Sequence, residues 1–212
     1  MPCLLDYNQA VIAATAAVQK YVPEHMGVDA VRGYVINTIK NYREQFSHEY
    51  GDIVICRDDR RSWRRDHFPY YKAARSQGRE DSKQWVNWDV VFEAIDTLAE
   101  EFDKQWPYKV VHVPTAEADD IIATLALHLY FDESTYVQDG VTNRPQRVLI
   151  LSSDGDFKQL QIMSHVDQYS YRTGKWVREN RPDVFLEHKL LQGDRKDGVP
   201  NILSDDDCLV VG

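Results

Sequence analysis

The stretch RVLILSSDGDFKQL, Arg147 to Leu160, sets an apolar β run, Val148 to Leu151, directly before two carboxylates, Asp154 and Asp156, that flank a glycine. A short continuous apolar run closed by turn residues reads as a buried strand of a parallel sheet. Two like charges at its end raise each other's pKa and repel, so the arrangement is costly unless a cation or a shared proton offsets it. The same signature recurs twice. PCLLD ends a short strand in Asp6, and DIVIC leads to Asp58.

Between these strands the spacing turns helical. Val28, Val31, Val35, Ile39, Tyr42 and Phe46 follow one helix face, and a second amphipathic helix is expected from about Trp88 to Phe102. The strand YKVVHV follows, then a helix opening after Pro114 with Thr115 as its N-cap. Residues 131 to 146 read as a polar loop. A short helix near DFKQL, extended pieces VDQYS and KWV, and a helix between Pro182 and Gln192 complete the pattern. Alternation of this kind predicts an α/β fold, a mainly parallel central sheet with helices on both faces.

With 212 residues and 43% hydrophobic content, the chain can bury a full core. It opens on no basic, apolar leader, and no apolar run approaches the ~20 residues that span a bilayer; no membrane partner and a cytoplasmic location are expected. Cys3, Cys56 and Cys208 are odd in number and form no CxxC pair, which excludes a disulfide framework and a zinc site as the organising feature.

In open parallel sheets ligands bind beyond the carboxyl ends of the strands, so Asp6, Asp58 and Asp154 are expected at one rim. AEADDIIATLALHL adds Glu117, Asp119 and Asp120 in the first turn of an apolar helix, and LLQGDRKDGVPN adds Asp194 and Asp197 in a Gly-bounded turn. Each acid alone has an ordinary structural use, such as complementing a helix dipole. Nine of them, with Asp156, and no His or Cys spacing beside them, form an all-oxygen set suited to Mg²⁺ or Mn²⁺. Removing those nine charges from the net of -9 leaves the rest of the chain neutral. Two cations about 4 Å apart are the usual clamp on the attacking and leaving oxygens of a phosphodiester.

One basic region interrupts this acidic chain. From Arg57 to Arg79 eight Lys or Arg face three Asp, a local net of +5. If Pro69 opens a helix, Lys72, Arg75 and Arg79 share one face, with Phe68, Tyr70 and Tyr71 interleaved. Cations and aromatic faces together make a path for single-stranded nucleic acid, to which Arg64, Arg65, Tyr70, Tyr71 and Arg75 are assigned. Trp63 and Trp85 serve either that segment or its anchorage, and Trp88 is expected in the core.

LLDYNQ, VICRDD, WRRDHFPYYKAARSQGR, EADDIIATL, LILSSDGDFKQL and LQGDRKDGVPN stand in the order found in the flap endonuclease family of structure-specific 5′ nucleases, and the chain resembles that family, its phage members in particular, from Leu4 to Asn201. The resemblance implies a first metal site from Asp6, Asp58, Glu117, Asp119 and Asp154, and a second from Asp156, Asp194 and Asp197 with Asp120 close by. It implies contact of Lys72 and Arg79 with the scissile phosphate, and an arch over about 59–88 through which a 5′ single strand passes. The implied activities are 5′ to 3′ exonuclease, flap endonuclease and ribonuclease H. Their substrates would be DNA carrying a 5′ flap or free 5′ end and RNA:DNA hybrids, met by a monomer in the host cytoplasm of a phage. Replication partners such as a clamp or single-strand binding protein are implied as a class only. A catalytic domain is expected over 1–192, with 193–212 the incomplete start of a helix-hairpin-helix-type duplex-binding region. A PIN-like ribonuclease and a non-catalytic branched-DNA binding module stay open as alternatives; a haloacid-type phosphatase fits less well, because DGDFK lacks the threonine of its D-x-D-x-T-like motif.

Overall fold

The computed structural model describes residues 2–23, 27–75, 86–138 and 143–210. Strands β1 (Cys3–Asp6), β2 (Ile53–Arg57), β3 (Lys109–His112), β6 (Val148–Leu151), β7 (Val166–Ser170) and β8 (Lys175–Val177) form one sheet in the order β3-β2-β1-β6-β7-β8. Every pairing is parallel except β7 with β8. The central strand β1 is flanked by β2 and β6, with Leu5 opposite both Ile55 and Leu151. The three strands that end near Asp6, Asp58 and Asp154 are therefore adjacent, and their carboxyl ends share one edge.

Alternation of side chains builds two cores. Cys3, Leu5, Ile53, Ile55, Leu149 and Leu151 face helices α1 (Tyr7–Tyr21), α2 (Val28–Tyr50) and α4 (Trp88–Gln105). Leu4, Cys56, Val148 and Ile150 face α5 (Ala118–Phe131) on the other side. β1 and β6 are buried at every position, as strands covered on both faces must be. Each fully buried Leu or Ile contributes roughly 1.5–3 kcal/mol. Trp88 packs part-buried against the first core, as expected.

The sequence reading omitted α1. Its buried residues Tyr7, Ala10, Val11, Ala14, Thr15 and Val18 keep helical spacing, but small alanines on the inner face weaken the apolar signal. Tyr7 then ties α1 to α4 by donating its hydroxyl to the Ile95 carbonyl at 2.9 Å.

Three expected elements are corrected. Thr115 is not a helix cap. It lies at φ 65°, its N–H donates to Asp59 Oδ2 at 2.8 Å, and α5 begins at Ala118, capped by Glu117 and Asp120 in a reciprocal box. The polar loop over 131–146 contains a 3₁₀ turn, Glu133–Thr135, and a two-stranded ribbon of β4 (Val137–Gln138) and β5 (Asn143–Arg144). No helix starts at Pro69: a short α3 (Arg64–His67) precedes it, residues 69–74 are turns, and Lys72 sits at φ 56°. The carboxyl end of the chain folds as α6 (Pro182–Gln192) and a turn closed by a bridge between Asp194 and Val199. Among the described residues no helix is long and apolar enough to cross a membrane.

Candidate active site

Asp6 is the last residue of β1, 6% exposed, and accepts a hydrogen bond from Ser152 Oγ at 2.8 Å. Asp58, one residue beyond β2, accepts from the Ala118 N–H at 2.6 Å, which fixes the start of α5 against the strand ends. Asp154 follows β6 and closes a tight turn by accepting from the Asp156 N–H at 3.0 Å. That turn is anchored twice. Gln168 donates to the carbonyls of Ser152 (3.1 Å) and Asp154 (2.6 Å), and Gln9 accepts from the Ser153 N–H and the Tyr171 hydroxyl, both at 2.8 Å.

The electrostatics identify which acids have converged. Burial first, then the charges of Asp58 and Asp154, push the Asp6 carboxyl up to about 7. Asp119 is raised well above the ordinary carboxylate range by loss of water and by Asp6, Asp154 and Asp58 together. Burial also raises Asp58, with Glu117 adding to it and the Ala118 N–H opposing. Asp6, Asp58, Asp119 and Asp154 thus form one cluster of mutually repelling carboxylates drawn from β1, β2, β6 and α5.

Basic side chains gather around the remaining acids. Lys72 Nζ lies 2.5 Å from Glu117 and 3.7 Å from Asp197. Arg64 reaches Glu117 at 3.0 Å and Asp120 at 2.7 Å; despite part-burial, this pairing holds Asp120 below its usual pKa. Arg75 pairs with Asp197, and Lys189 bridges Asp156 (2.8 Å) and Asp194. Between these groups lies a cleft of about 410 Å³ lined by Asp119, Asp156, Lys189, Asp194 and Asp197 among others.

The donor chemistry fits hard divalent cations: the acids supply oxygen only, and the charged forms of Asp6, Asp58 and Asp119 are disfavoured in the absence of a cation. Among the described residues no three acids are already drawn into one cage, so the fit lies in charge and donor type.

The Asp194–Val199 turn closes the site from the carboxyl side. The Lys72 N–H donates to the Asp197 carbonyl at 2.7 Å, and a Cβ on Gly198 would stand 2.8 Å from the Tyr70 carbonyl. Gly193, at φ 71°, has the carbonyls of Val199 and Pro200 where a Cβ would go. Gly193→Ala is therefore expected to lower stability by roughly 1–3 kcal/mol, measured as a lower urea midpoint; an unchanged midpoint would mean that the turn is not held as described.

Residues 3–188 match the family described as the 5′-3′ exonuclease N-terminal, resolvase-like domain. The chain belongs to the 5′-3′ exonuclease family. It is 34% identical over 205 residues to the ribonuclease H of Enterobacteria phage T4, an alignment covering 94% of this chain and 62% of that protein. It is also 28% identical over 184 residues to a thermostable DNA polymerase I of Thermus thermophilus, covering 82% of this chain and 19% of the polymerase. Among solved folds, a phage T5 protein co-crystallised with metal ions superposes with a TM-score of 0.68 at 17% identity, over 96% of this chain and 70% of that one. A phage T5 flap endonuclease in complex with DNA and metal ions gives 0.67 at 18%, over the same shares. The fold expected from the sequence is thus the fold of this exonuclease family.

Within this exonuclease-family chain, all nine acids come to the same edge of the sheet. Lys72 and Arg75 stand among them, whereas Arg79, like Trp85, lies outside the described residues. Two residues assigned to a strand path are placed otherwise. Tyr71 is 7% exposed, with its hydroxyl donating to Glu117 at 2.7 Å, so its ring is not open to a base. Arg64 is engaged by carboxylates. Arg65 and Tyr70 are exposed. The sequence reading missed Ser152, Gln9 and Lys189. Ser152 and Lys189 carry a faint positional signal, a hydroxyl directly after β6 and an amine one turn before the Asp194 loop; Gln9 carries none.

Proposed function

We propose that this chain is a metal-dependent 5′ nuclease that hydrolyses phosphodiester bonds at or near the 5′ ends of DNA flaps, nicked duplexes and RNA:DNA hybrids, as in primer removal during phage DNA replication. The observation that carries the reading is the cluster of Asp6, Asp58, Asp119 and Asp154 at the strand ends of a 5′-3′ exonuclease-family domain, where burial and neighbouring carboxylates raise the pKa of Asp6 and Asp119. The phage T5 flap endonuclease, by its own description, was captured with DNA and metal ions.

Asp6, Asp58, Glu117, Asp119 and Asp154 would hold one cation, and Asp156, Asp194 and Asp197 a second, with Asp120 adjoining. Bound divalent cations supply activation of the attacking water and stabilisation of the leaving 3′ oxygen. The chain's own residues do the rest. Ser152 orients Asp6, and the Ala118 N–H orients Asp58. Lys72, which lies between Glu117 and Asp197, would move onto a non-bridging phosphoryl oxygen, where its charge would stabilise the transition state. Arg79 is proposed for the same phosphate. Arg65, Tyr70 and Arg75 border the entry of the single strand, with Arg64 and Tyr71 released from their acids when it enters.

Cleavage of end-labelled 5′-flap, nicked and RNA:DNA substrates, with Mg²⁺, Mn²⁺ or chelator, tests this. Metal-dependent release from the 5′ end is expected. Cutting of structured RNA without need of a 5′ end would favour the PIN-like ribonuclease, and binding without cutting the non-catalytic module. Lys72→Ala is expected to lower the single-turnover rate about 100-fold at saturating enzyme with affinity nearly intact; a loss of affinity alone would remove Lys72 from the transition state.

A further inference from the structure

Two acids stand side by side beyond β2, and only the first belongs to the nine. Asp59 lies outside the acid cleft, in the wall of a cavity of about 610 Å³ that it shares with Arg60 and His112. Both of its carboxylate oxygens are taken by the end of β3 and the connector that leads from it to α5. Oδ2 accepts the Thr115 N–H at 2.8 Å, and Oδ1 lies 3.0 Å from His112 Nε2. The backbone around Asp59 holds the same connector: its own N–H donates to the Ala116 carbonyl and the Trp63 N–H to the Thr115 carbonyl, both at 2.9 Å.

The residue held in this way is strained. Thr115 lies at φ 65°, in the left-handed region that a β-branched side chain resists and glycine enters freely. Such a residue persists only where its surroundings over-determine it, and here its N–H and its carbonyl are both tied to residues 59–63. What the strain fixes is the approach to α5. Glu117, two residues on, is the helix N-cap, and Asp119 stands in the first turn. The direction in which the chain leaves Thr115 therefore sets where both carboxylates arrive.

We propose that Asp59, backed by His112, is a positioning residue for the cation site: it touches no cation, but holds Thr115 in its left-handed conformation and so places Glu117 and Asp119. The proposal rests on the nuclease reading above and adds to it a residue that sets cation affinity from outside the acid cluster. Asp58 and Asp59 divide the work, one presenting its charge to the cluster and the other clasping the chain that delivers two further ligands. The clasp needs hydrogen bonds, not charge. An asparagine can accept the Thr115 N–H with its oxygen and donate to His112 Nε2, because a neutral imidazole accepts there in its other tautomer.

The test reads Mg²⁺ binding without cleavage, as the heat of titrating Mg²⁺ into the metal-free protein in the absence of DNA. Asp59→Ala is expected to bind Mg²⁺ about 10- to 100-fold more weakly. In single-turnover cleavage the Mg²⁺ needed for half the maximal rate should rise in step, with that maximal rate largely recovered at saturating Mg²⁺. Asp59→Asn should keep most of the affinity, which a cation ligand could not. Asp59→Ala combined with Thr115→Gly should regain much of what Asp59→Ala loses, because glycine takes the left-handed conformation unaided. Unchanged Mg²⁺ affinity in Asp59→Ala, an Asp59→Asn as weak as Asp59→Ala, or no recovery on adding Thr115→Gly overturns the proposal and leaves the nuclease reading standing. An unaltered protein that neither binds Mg²⁺ nor cleaves with it overturns both.

Discussion

Asp119→Asn is expected to leave less than about one-thousandth of the cleavage rate while raising the melting temperature of the metal-free protein. Both effects have one cause. Asp119 faces Asp6, Asp58 and Asp154, and its charged form is disfavoured by all three and by loss of water. Asparagine keeps the shape, removes the repulsion and removes an oxygen donor with negative charge. Stability and activity should therefore move in opposite directions, as they do wherever like charges are held together for a ligand. Single-turnover cleavage at saturating Mg²⁺, beside calorimetry in chelator, measures the pair. Cleavage near the unaltered rate would exclude Asp119 from the metal site, and a lower melting temperature would deny the repulsion.

The metal-free protein is expected to lose stability as the pH rises from 5 to 8, the reverse of ordinary acid denaturation. In the folded state burial and its neighbours hold the Asp6 carboxyl up to about 7, while an unfolded aspartate releases its proton near the ordinary value of 3.8. Between these values the folded form binds more protons, so each step up in pH favours unfolding. For Asp6 alone the displacement is worth roughly 4 kcal/mol, a large part of the roughly 5–15 kcal/mol that stabilises a typical domain. Asp120 and Asp194 behave oppositely: Arg64 and Lys189 hold them low against part-burial, so their contribution is present above the unfolded pKa and lost on acidification. Their gain is complete once the pH is well above the unfolded carboxylate pKa. Mg²⁺ should raise the alkaline side most, because it binds the folded, deprotonated acids. Urea midpoints at pH 5, 6.5 and 8, in chelator and in Mg²⁺, decide it; stability that is level or rising over this range in chelator would contradict a protonated cluster.

Much of this was legible in the residues because burial on both faces leaves a plain mark. β1, β2 and β6 are short apolar runs, and the Asp just beyond each one is conspicuous against them. α1 hid because an alanine-rich face packs closely without a strong apolar pattern. The start of α5 misled because Thr115 has the right chemistry for a cap, but Asp59 had already taken its N–H, and Glu117 with Asp120 did the capping. No local rule foretells that competition. The same holds for the basic segment. Pro69 suits a helix start, yet the Lys72 N–H is needed by the Asp197 carbonyl, far away in sequence, and the chain turns instead. Tyr71 and Arg64 read as open to a ligand because their partners, Glu117 and Asp120, come from another element.

The strand order has a consequence during synthesis. β1 emerges first from the ribosome and can pair with β2 soon after, but its other neighbour, β6, lies beyond α4, β3 and α5. At about 5–20 residues per second the far edge of β1 waits on the order of 5–20 s for its partner. Throughout that interval a bare apolar edge, Cys3–Asp6, is available to other nascent chains, a known route to aggregation. The same delay is protective. Asp154 follows β6, so a half-made polypeptide cannot complete the acid cluster, and hydrolytic capacity would arise only once the middle of the sheet has been filled.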